Sequence, residues 1–219
     1  MRAPLVILAA VTLVHLLAQG SAPGGVVADL TQVLLVPALA CVLLTSVPTP
    51  DSRLVRLVLL ALGLSWLGDT LPRFADDGSQ LGFLLMIVPF FLAQVAYIAA
   101  FLPFVRASAV HNRPFVLAYL LAYLLFVALF TFGAGAIWPS VVYGGVVVAM
   151  ALLATGIDRV AAVGGILFVI SDALIGVRTF LLVELPLHGV WVMLTYVLAQ
   201  ALLVVAVAHH ERAVAARRA

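Results

Sequence analysis

The chain has 219 residues, of which 66% are hydrophobic and only 9% charged, and its mean hydropathy is +1.28. A soluble domain of this length could not cover so much apolar surface, and a formal net charge of +2 is too small to indicate a nucleic-acid partner. The single cysteine, Cys41, excludes an intrachain disulfide. These properties predict an integral membrane protein.

Eight apolar runs follow one another along the chain, separated by short stretches rich in glycine, proline, serine and aspartate. Lipid offers no hydrogen-bond partners to the backbone, so runs of this length are predicted to be transmembrane helices. The predicted spans are residues 4–20, 26–47, 54–71, 82–105, 114–132, 136–154, 160–183 and 188–208. The predicted fold class is an all-α polytopic membrane protein with one transmembrane domain, residues 1–208, and a basic tail, residues 209–219.

The first run admits a second interpretation. Residues 1–20 combine a short charged start, an apolar core and small residues near Gly20, as a signal peptide does. Cleavage there would leave the other seven spans in the same orientation.

The distribution of arginine orients the spans. All eleven basic residues are arginine, and a cytoplasmic N-terminus leaves only Arg73 and Arg178 on the outer side. The inner side then holds Arg2, Arg53, Arg56, Arg106, Arg113, Arg159, Arg212, Arg217 and Arg218. Cytoplasmic loops of membrane proteins carry this excess of positive charge. The pattern predicts a multi-pass protein of the cytoplasmic membrane, with both termini inside and the basic tail resting on anionic lipid headgroups.

Two aspartates lie inside apolar spans at matching depth. Asp69 follows Arg56 by thirteen residues, and Asp172 follows Arg159 by the same number. A helix rises 1.5 Å per residue, so each aspartate stands about 20 Å above the inner edge of a hydrocarbon core about 30 Å thick. Their separation of 103 residues is consistent with two parallel four-helix halves, an arrangement that builds sites in some membrane proteins.

A carboxylate within a span costs about 2.5–3.5 kcal/mol on insertion scales, and it usually faces a polar interior. Each aspartate could serve structure alone, by bonding a neighbouring helix. Asp69 and Arg73 are four residues apart, a spacing that permits an ion pair. Two such residues at one depth favour a functional role.

Other polar residues of the spans are candidates for a shared cavity. Gln94 and Tyr97 lie on one face of the fourth span, and Tyr196 and Gln200 are four residues apart on the eighth. Amides and phenols can bind a carboxyl, a water or a substrate oxygen, although bonds between helices are the simpler role. Ser171 fits either role.

Arg73 and Arg178 stand further out on the helices that carry the two aspartates. They could bind a phosphate group, or they could serve only as interfacial anchors. The five histidines show no metal-ligand spacing, so we expect neither a metal nor another cofactor. The sequence indicates no protein partner.

Four segments together resemble the YhhN family of membrane proteins, which includes the lysoplasmalogenases. They are "WLGDTL", "FFLAQVAYIAAF", "GGILFVISDALIG" and "TYVLAQALLV", and the resemblance extends from about residue 30 to residue 205. It implies an eight-span enzyme that hydrolyses the vinyl ether bond of lysoplasmalogen, a lysophospholipid. The products would be a fatty aldehyde and glycerophosphoethanolamine or glycerophosphocholine. The implied functional acids are Asp69 and Asp172.

Two positions depart from the family pattern. Some relatives have histidine where Gln94 stands, and some have lysine before the proline of the second span, where this chain has Val36 before Pro37.

The implied chemistry suits two carboxyl groups. A vinyl ether opens when the carbon β to oxygen is protonated, which leaves an oxocarbenium ion that water attacks. Glycosidases pass through similar cations and use paired carboxyls as acid and base. Because such a pair titrates as a unit, the roles of acid and base stay unassigned between the two aspartates.

Two other functions use paired intramembrane aspartates. An intramembrane aspartyl protease is disfavoured, because "PAL" at residues 37–39 precedes both acids and "WLGD" lacks the G-x-G-D pattern. A proton-coupled transporter remains the alternative to the hydrolase.

Overall fold

The computed structural model describes residues 2–76, 78–134 and 137–218, which form eight α-helices. The helices are α1 (Arg2–Ser21), α2 (Val26–Ser46), α3 (Arg53–Thr70), α4 (Gln80–Phe101), α5 (Arg113–Ala134), α6 (Ile137–Ala154), α7 (Arg159–Leu181) and α8 (His188–Arg218). Within these ranges there is no strand, which confirms the all-α prediction. The break predicted between the fifth and sixth spans covers residues 133–135; α5 runs to Ala134, and residue 135 lies outside the described part of the chain.

Two α-helices end at other residues than the corresponding predicted spans. The fourth span was expected to run to residue 105, but α4 ends at Phe101 and a 3-10 segment, Leu102–Ala107, follows. Pro103 stands at the start of this 3-10 segment, where its missing N–H and its ring weaken the α-helical hydrogen-bond pattern. At the other end of the chain, α8 continues ten residues beyond the predicted end at 208. Residues 209–218 are therefore helical.

Six helices are long and apolar enough to cross a membrane, namely α1, α2, α3, α4, α7 and α8. The other two have shorter apolar segments within the described residues, Arg113–Ala128 in α5 and Val141–Ala154 in α6. The count of eight spans and the cytoplasmic placement of both termini stay predictions.

The helices expose large apolar side chains in continuous stripes. On α5, Leu117, Leu121 and Leu125 follow at intervals of four residues, and all three are exposed. Leu13 and Leu17 form a similar exposed pair on α1. Soluble monomers rarely expose apolar patches of this kind, whereas lipid-facing helices do. Together with the six apolar helices, the stripes identify a membrane protein.

The chain divides into two compact units. Unit 1 comprises residues 1–100 and 207–219, and unit 2 comprises residues 101–206. Unit 1 thus contains α1 to α3, nearly all of α4 and the last turns of α8, while unit 2 contains α5 to α7 and the first part of α8.

In unit 1, side chains join each helix to the next. His15 Nδ1 on α1 lies 2.9 Å from Thr31 Oγ1 on α2, and Trp66 Nε1 on α3 donates to the Val33 carbonyl on α2 at 2.9 Å. Helices α3 and α4 approach closely at Gly68, where an added β-carbon would lie 2.6 Å from the Phe90 ring. These contacts fix the end of α3, which carries Asp69.

The last turns of α8 are held to the connection between α2 and α3. The buried carboxylate of Glu211 accepts hydrogen bonds from Thr49 Oγ1 at 2.5 Å and Ser52 Oγ at 2.8 Å. Arg212 Nε donates to the Ser46 carbonyl at 2.7 Å. The helical extension is therefore packed within unit 1.

In unit 2, small residues let the helices approach closely, as is common in membrane proteins. A β-carbon added at Gly165 on α7 would lie 2.8 Å from the Ala151 α-carbon on α6. One added at Gly164 would lie 3.0 Å from the Ala199 carbonyl oxygen on α8. Helix α7, which carries Asp172, is thus packed on both sides.

Candidate active site

Asp69 occupies the last turn of α3, and only 7% of its surface is exposed. Its partner comes from α2, where Gln32 Nε2 donates to Asp69 Oδ1 at 3.2 Å. A neutral amide donor from a neighbouring helix therefore contacts this carboxyl inside unit 1.

Arg73 lies in the 3-10 segment Leu71–Phe74 that follows α3. Its Nη2 donates to Gln32 Oε1 at 3.0 Å and lies 3.5 Å from Asp29 Oδ1, and its Nη1 donates to the main-chain carbonyl of Asp69. Arg73 thus forms an ion pair with Asp29 on α2. Two polar residues of α2, one helical turn apart, complete this cluster.

Asp172 lies in the middle of α7, and it too is 7% exposed. Its Oδ2 accepts a hydrogen bond from the hydroxyl of Tyr143 on α6 at 2.8 Å. Unit 2 thus repeats one feature of unit 1, because an aspartate in an apolar helix is held by a neutral donor from an adjacent helix.

Gln94 and Tyr97, the predicted candidates on α4, are fully buried in unit 1. Neither the nitrogen nor the oxygen of the Gln94 amide has a hydrogen-bond partner among the described residues. An unsatisfied buried polar group costs about 1–3 kcal/mol. This amide is suited to bind an oxygen and a donor of a small molecule.

In unit 2, the candidates Tyr196 and Gln200 on α8 are buried. The Tyr196 ring packs edge-on against Phe168 of α7 with the ring centres 5.8 Å apart. Ser171 Oγ donates to the Val192 carbonyl at 3.1 Å and so joins α7 to α8.

Arg178, near the end of α7, is surface-exposed. Its side chain is 60% exposed and lies 3.6 Å from Glu184, which is also largely exposed. Exposed ion pairs contribute about 1 kcal/mol or less to stability. The guanidinium is therefore accessible to an anion.

The sequence reasoning missed three residues that contact the candidate site residues, namely Asp29, Gln32 and Tyr143. Each is a polar residue inside a predicted span, which was the available signal. The sequence does not show which side chain each of them contacts, since that depends on how the helices are rotated against one another.

No three histidine, cysteine, aspartate or glutamate side chains are grouped as metal ligands in the part of the chain that the structure describes.

These features define a helical membrane protein with two buried aspartates, each bonded to a neutral donor. A sequence model of the YhhN family matches residues 27–207. The chain belongs to the YhhN family, which confirms the resemblance seen in its motifs, and the matched region includes both aspartates and all their partners named above. No curated protein and no solved structure matches the chain.

Proposed function

We propose that this protein is an intramembrane hydrolase that cleaves the vinyl ether bond of lysoplasmalogen. The products are a fatty aldehyde and glycerophosphoethanolamine or glycerophosphocholine. Membership of the YhhN family supports a lysoplasmalogenase-like activity. The observation that carries the proposal is the pair of buried aspartates, Asp69 and Asp172, each in an apolar helix with a dedicated hydrogen-bond donor.

The reaction needs an acid and a base. One carboxylic acid gives its proton to the carbon β to the ether oxygen, and the double-bond electrons form the new C–H bond. The resulting oxocarbenium ion is attacked by water, whose proton passes to the other carboxylate. The hemiacetal then collapses: the second carboxyl protonates the glycerol oxygen as its carbon–oxygen bond breaks, and the hemiacetal hydroxyl proton passes to the first carboxylate, so that aldehyde and alcohol leave and both carboxyls return to their starting states. Acid–base catalysis of this kind contributes about 10²–10⁴-fold.

Buried donors suit the two carboxyls to this work. Gln32 and Tyr143 each hold one carboxyl oxygen, which restricts the rotation of the aspartate side chain. Reacting groups must be held close to the productive geometry, and a misplacement of about 1 Å can cost about 10²-fold in rate. The neighbouring helices therefore contribute orientation as well as burial.

We assign substrate binding to the remaining polar candidates. In unit 1 the unpaired Gln94 amide is the strongest of them, with Tyr97 one turn away on the same helix. In unit 2 the candidates are Tyr196, Gln200 and Ser171. Arg178 is better suited than Arg73 to a lipid phosphate, because the Arg73 guanidinium already binds Gln32 and Asp29. The cytoplasmic membrane, as the arginine pattern predicts, supplies both the substrate and the surrounding lipid.

The decisive experiment measures aldehyde release by purified protein in detergent. We expect release from lysoplasmalogen and none from a lysophospholipid with a saturated ether, which has no double bond to protonate. Asp69→Asn and Asp172→Asn should each lower turnover by at least about 10²-fold. The exposed loop residue Asp76 provides the control, and Asp76→Asn should keep full activity.

Two outcomes would contradict the proposal. Full turnover by either buried-aspartate variant would exclude two-carboxylate catalysis. A protein that moves a solute across liposomes in a proton-dependent way, without forming aldehyde, would instead be the proton-coupled transporter.

A further inference from the structure

We propose that Gln32 is a positioning residue for Asp69, and that Asp29 and Arg73 act through it. The proposal rests on the proposed function in one respect, because it states that Gln32 affects the rate of the hydrolysis in which Asp69 takes part. It arises from three helical segments of unit 1 whose side chains meet in a chain of contacts. We call this chain, Asp29–Arg73–Gln32–Asp69, the α2 relay.

The contacts of the α2 relay fix the orientation of the Gln32 amide. Arginine only donates hydrogen bonds, so Arg73 Nη2 must face the oxygen of the Gln32 amide, at 3.0 Å. The amide nitrogen then points the other way, and it donates to Asp69 Oδ1 at 3.2 Å. An amide in water can present either end to a neighbour. Here the arginine selects the end that donates to Asp69.

Arg73 is itself held in place from α2. Its Nη2 lies 3.5 Å from Asp29 Oδ1 and donates to the Asp29 carbonyl at 3.3 Å. Asp29 and Gln32 are three residues apart, so they lie on one face of α2. The guanidinium is anchored on one side and directs Gln32 on the other, which makes Gln32 a preset donor rather than a freely rotating one.

Replacing the amide by a carboxyl group gives a discriminating variant. The substitution Gln32→Glu keeps the size and shape of the side chain, and the new carboxyl can still accept from Arg73. When protonated, this carboxyl can donate to Asp69 through its hydroxyl as the amide does, but when ionised it can only repel that carboxylate. Other titratable or charged groups near this position are Asp29 and Arg73, and also His15 of α1, which both of them influence electrostatically.

The experiment compares kcat and KM of the wild type, Gln32→Glu and Gln32→Leu from about pH 5 to about pH 8. The control is Gln80→Leu at an exposed position at the start of α4. We expect Gln32→Leu to lower kcat about 10–100-fold with little change in KM, as loss of an orienting residue does. The ratio of Gln32→Glu to Gln32→Leu activity should rise as the pH falls, and Gln80→Leu should match the wild type.

Two results would overturn the proposal: a Gln32→Leu variant with the wild-type kcat, or an activity ratio that stays the same at every pH. A residue that serves only folding would lower the amount of active protein and leave the ratio flat. If Gln32→Leu does not fold, the ratio of Gln32→Glu to wild-type activity replaces it, and a ratio that does not rise as the pH falls would overturn the proposal.

A second measurement separates this proposal from the proposed function. Aspartate labelled with ¹³C at the carboxyl gives a signal for Asp69 that is assigned by its loss in Asp69→Asn. The relay predicts that this signal shifts in Gln32→Leu and Gln32→Glu but not in Gln80→Leu. If the wild type releases no aldehyde, the proposed function fails and the shift alone decides on the relay. If aldehyde is released but the signal and kcat are unchanged in the Gln32 variants, the relay fails alone.

Discussion

Asp69 and Asp172 have different donors although they have the same low exposure. Asp69 is contacted by an amide that an arginine orients, whereas Asp172 is contacted by a phenol from α6. A phenol hydroxyl can rotate to accept as well as donate, and the oriented amide nitrogen can only donate. At the scale of single residues, the two carboxyl groups therefore differ in how strictly their hydrogen-bond donors are oriented.

The Tyr143 hydroxyl can be tested by Tyr143→Phe, which keeps the ring and removes the donor to Asp172. We expect turnover to fall about 10–100-fold, because an orienting contact of a reacting group is lost. The free energy of unfolding should change by about 1 kcal/mol, which is typical of one hydrogen bond. Aldehyde release and thermal unfolding in detergent measure the two effects.

Tyr123→Phe is the matched control in the same unit, since the Tyr123 hydroxyl donates to a main-chain carbonyl, that of Val141, at 3.3 Å. It should leave turnover unchanged. Wild-type turnover in Tyr143→Phe would show that Asp172 needs no such donor.

The packing of α7 determines where Asp172 stands. Gly164 and Gly165 let α7 approach α8 and α6 closely, and Ser171 adds a hydrogen bond to α8 just before the aspartate. Contacts of this kind take the place of the hydrophobic effect, which gives helices no reason to associate inside lipid. At the scale of helices, close approach through glycine is what keeps the carboxyl inside unit 2.

Gly165→Ala should destabilise the protein, because the new β-carbon would lie 2.8 Å from the Ala151 α-carbon. The helices would have to separate, at a cost of about 1–3 kcal/mol, the usual range for an overpacked core. Thermal unfolding and the yield of monodisperse protein in detergent measure this.

Gly63→Ala offers the contrast, since a β-carbon there would meet nothing within 4 Å. That change should be neutral or stabilising by up to about 1 kcal/mol, as alanine is the better helix former. Equal effects of the two alanine substitutions would argue against a close crossing of α6 and α7.

Membrane orientation is a property of the whole molecule. The predicted topology places the connection between α2 and α3 inside and the connection between α3 and α4 outside. Asp51 and Asp76 are exposed residues in these two connections, and Cys41 is the only cysteine of the chain. The chain therefore offers a simple accessibility test.

In a Cys41→Ser background, Asp76→Cys should react with a membrane-impermeant thiol reagent in intact cells. Asp51→Cys should react only after the cells are permeabilised, because the predicted bias of arginine keeps that connection in the cytoplasm. Labelling is read as the fraction of protein modified. The opposite pattern would reverse the orientation and move Asp69 toward the inner leaflet.

The last turns of α8 show a limit of reading the whole chain from composition. Residues 209–219 were predicted as a basic tail on lipid headgroups, and that placement stays a prediction. In the structure Glu211 accepts from Thr49 and Ser52, and Arg212 donates to Ser46 at the end of α2. The nearby basic residues dominate the composition of this segment. A single buried carboxylate with two hydroxyl partners is visible only once the chain is folded.

The helical class, the order of the helices, the family and the two aspartates of the candidate site could all be predicted from the amino-acid sequence. This was possible for two reasons. Lipid forces the backbone groups of each segment to hydrogen-bond within that segment, so long apolar runs form helices. A charged residue within such a run is also easily recognised in the sequence. The folded chain was needed to show that Gln32 meets Asp69 and Tyr143 meets Asp172. Helices such as α2 are apolar on nearly every side. Their sequence pattern therefore does not fix how they rotate, and rotation selects which polar side chain meets which carboxyl.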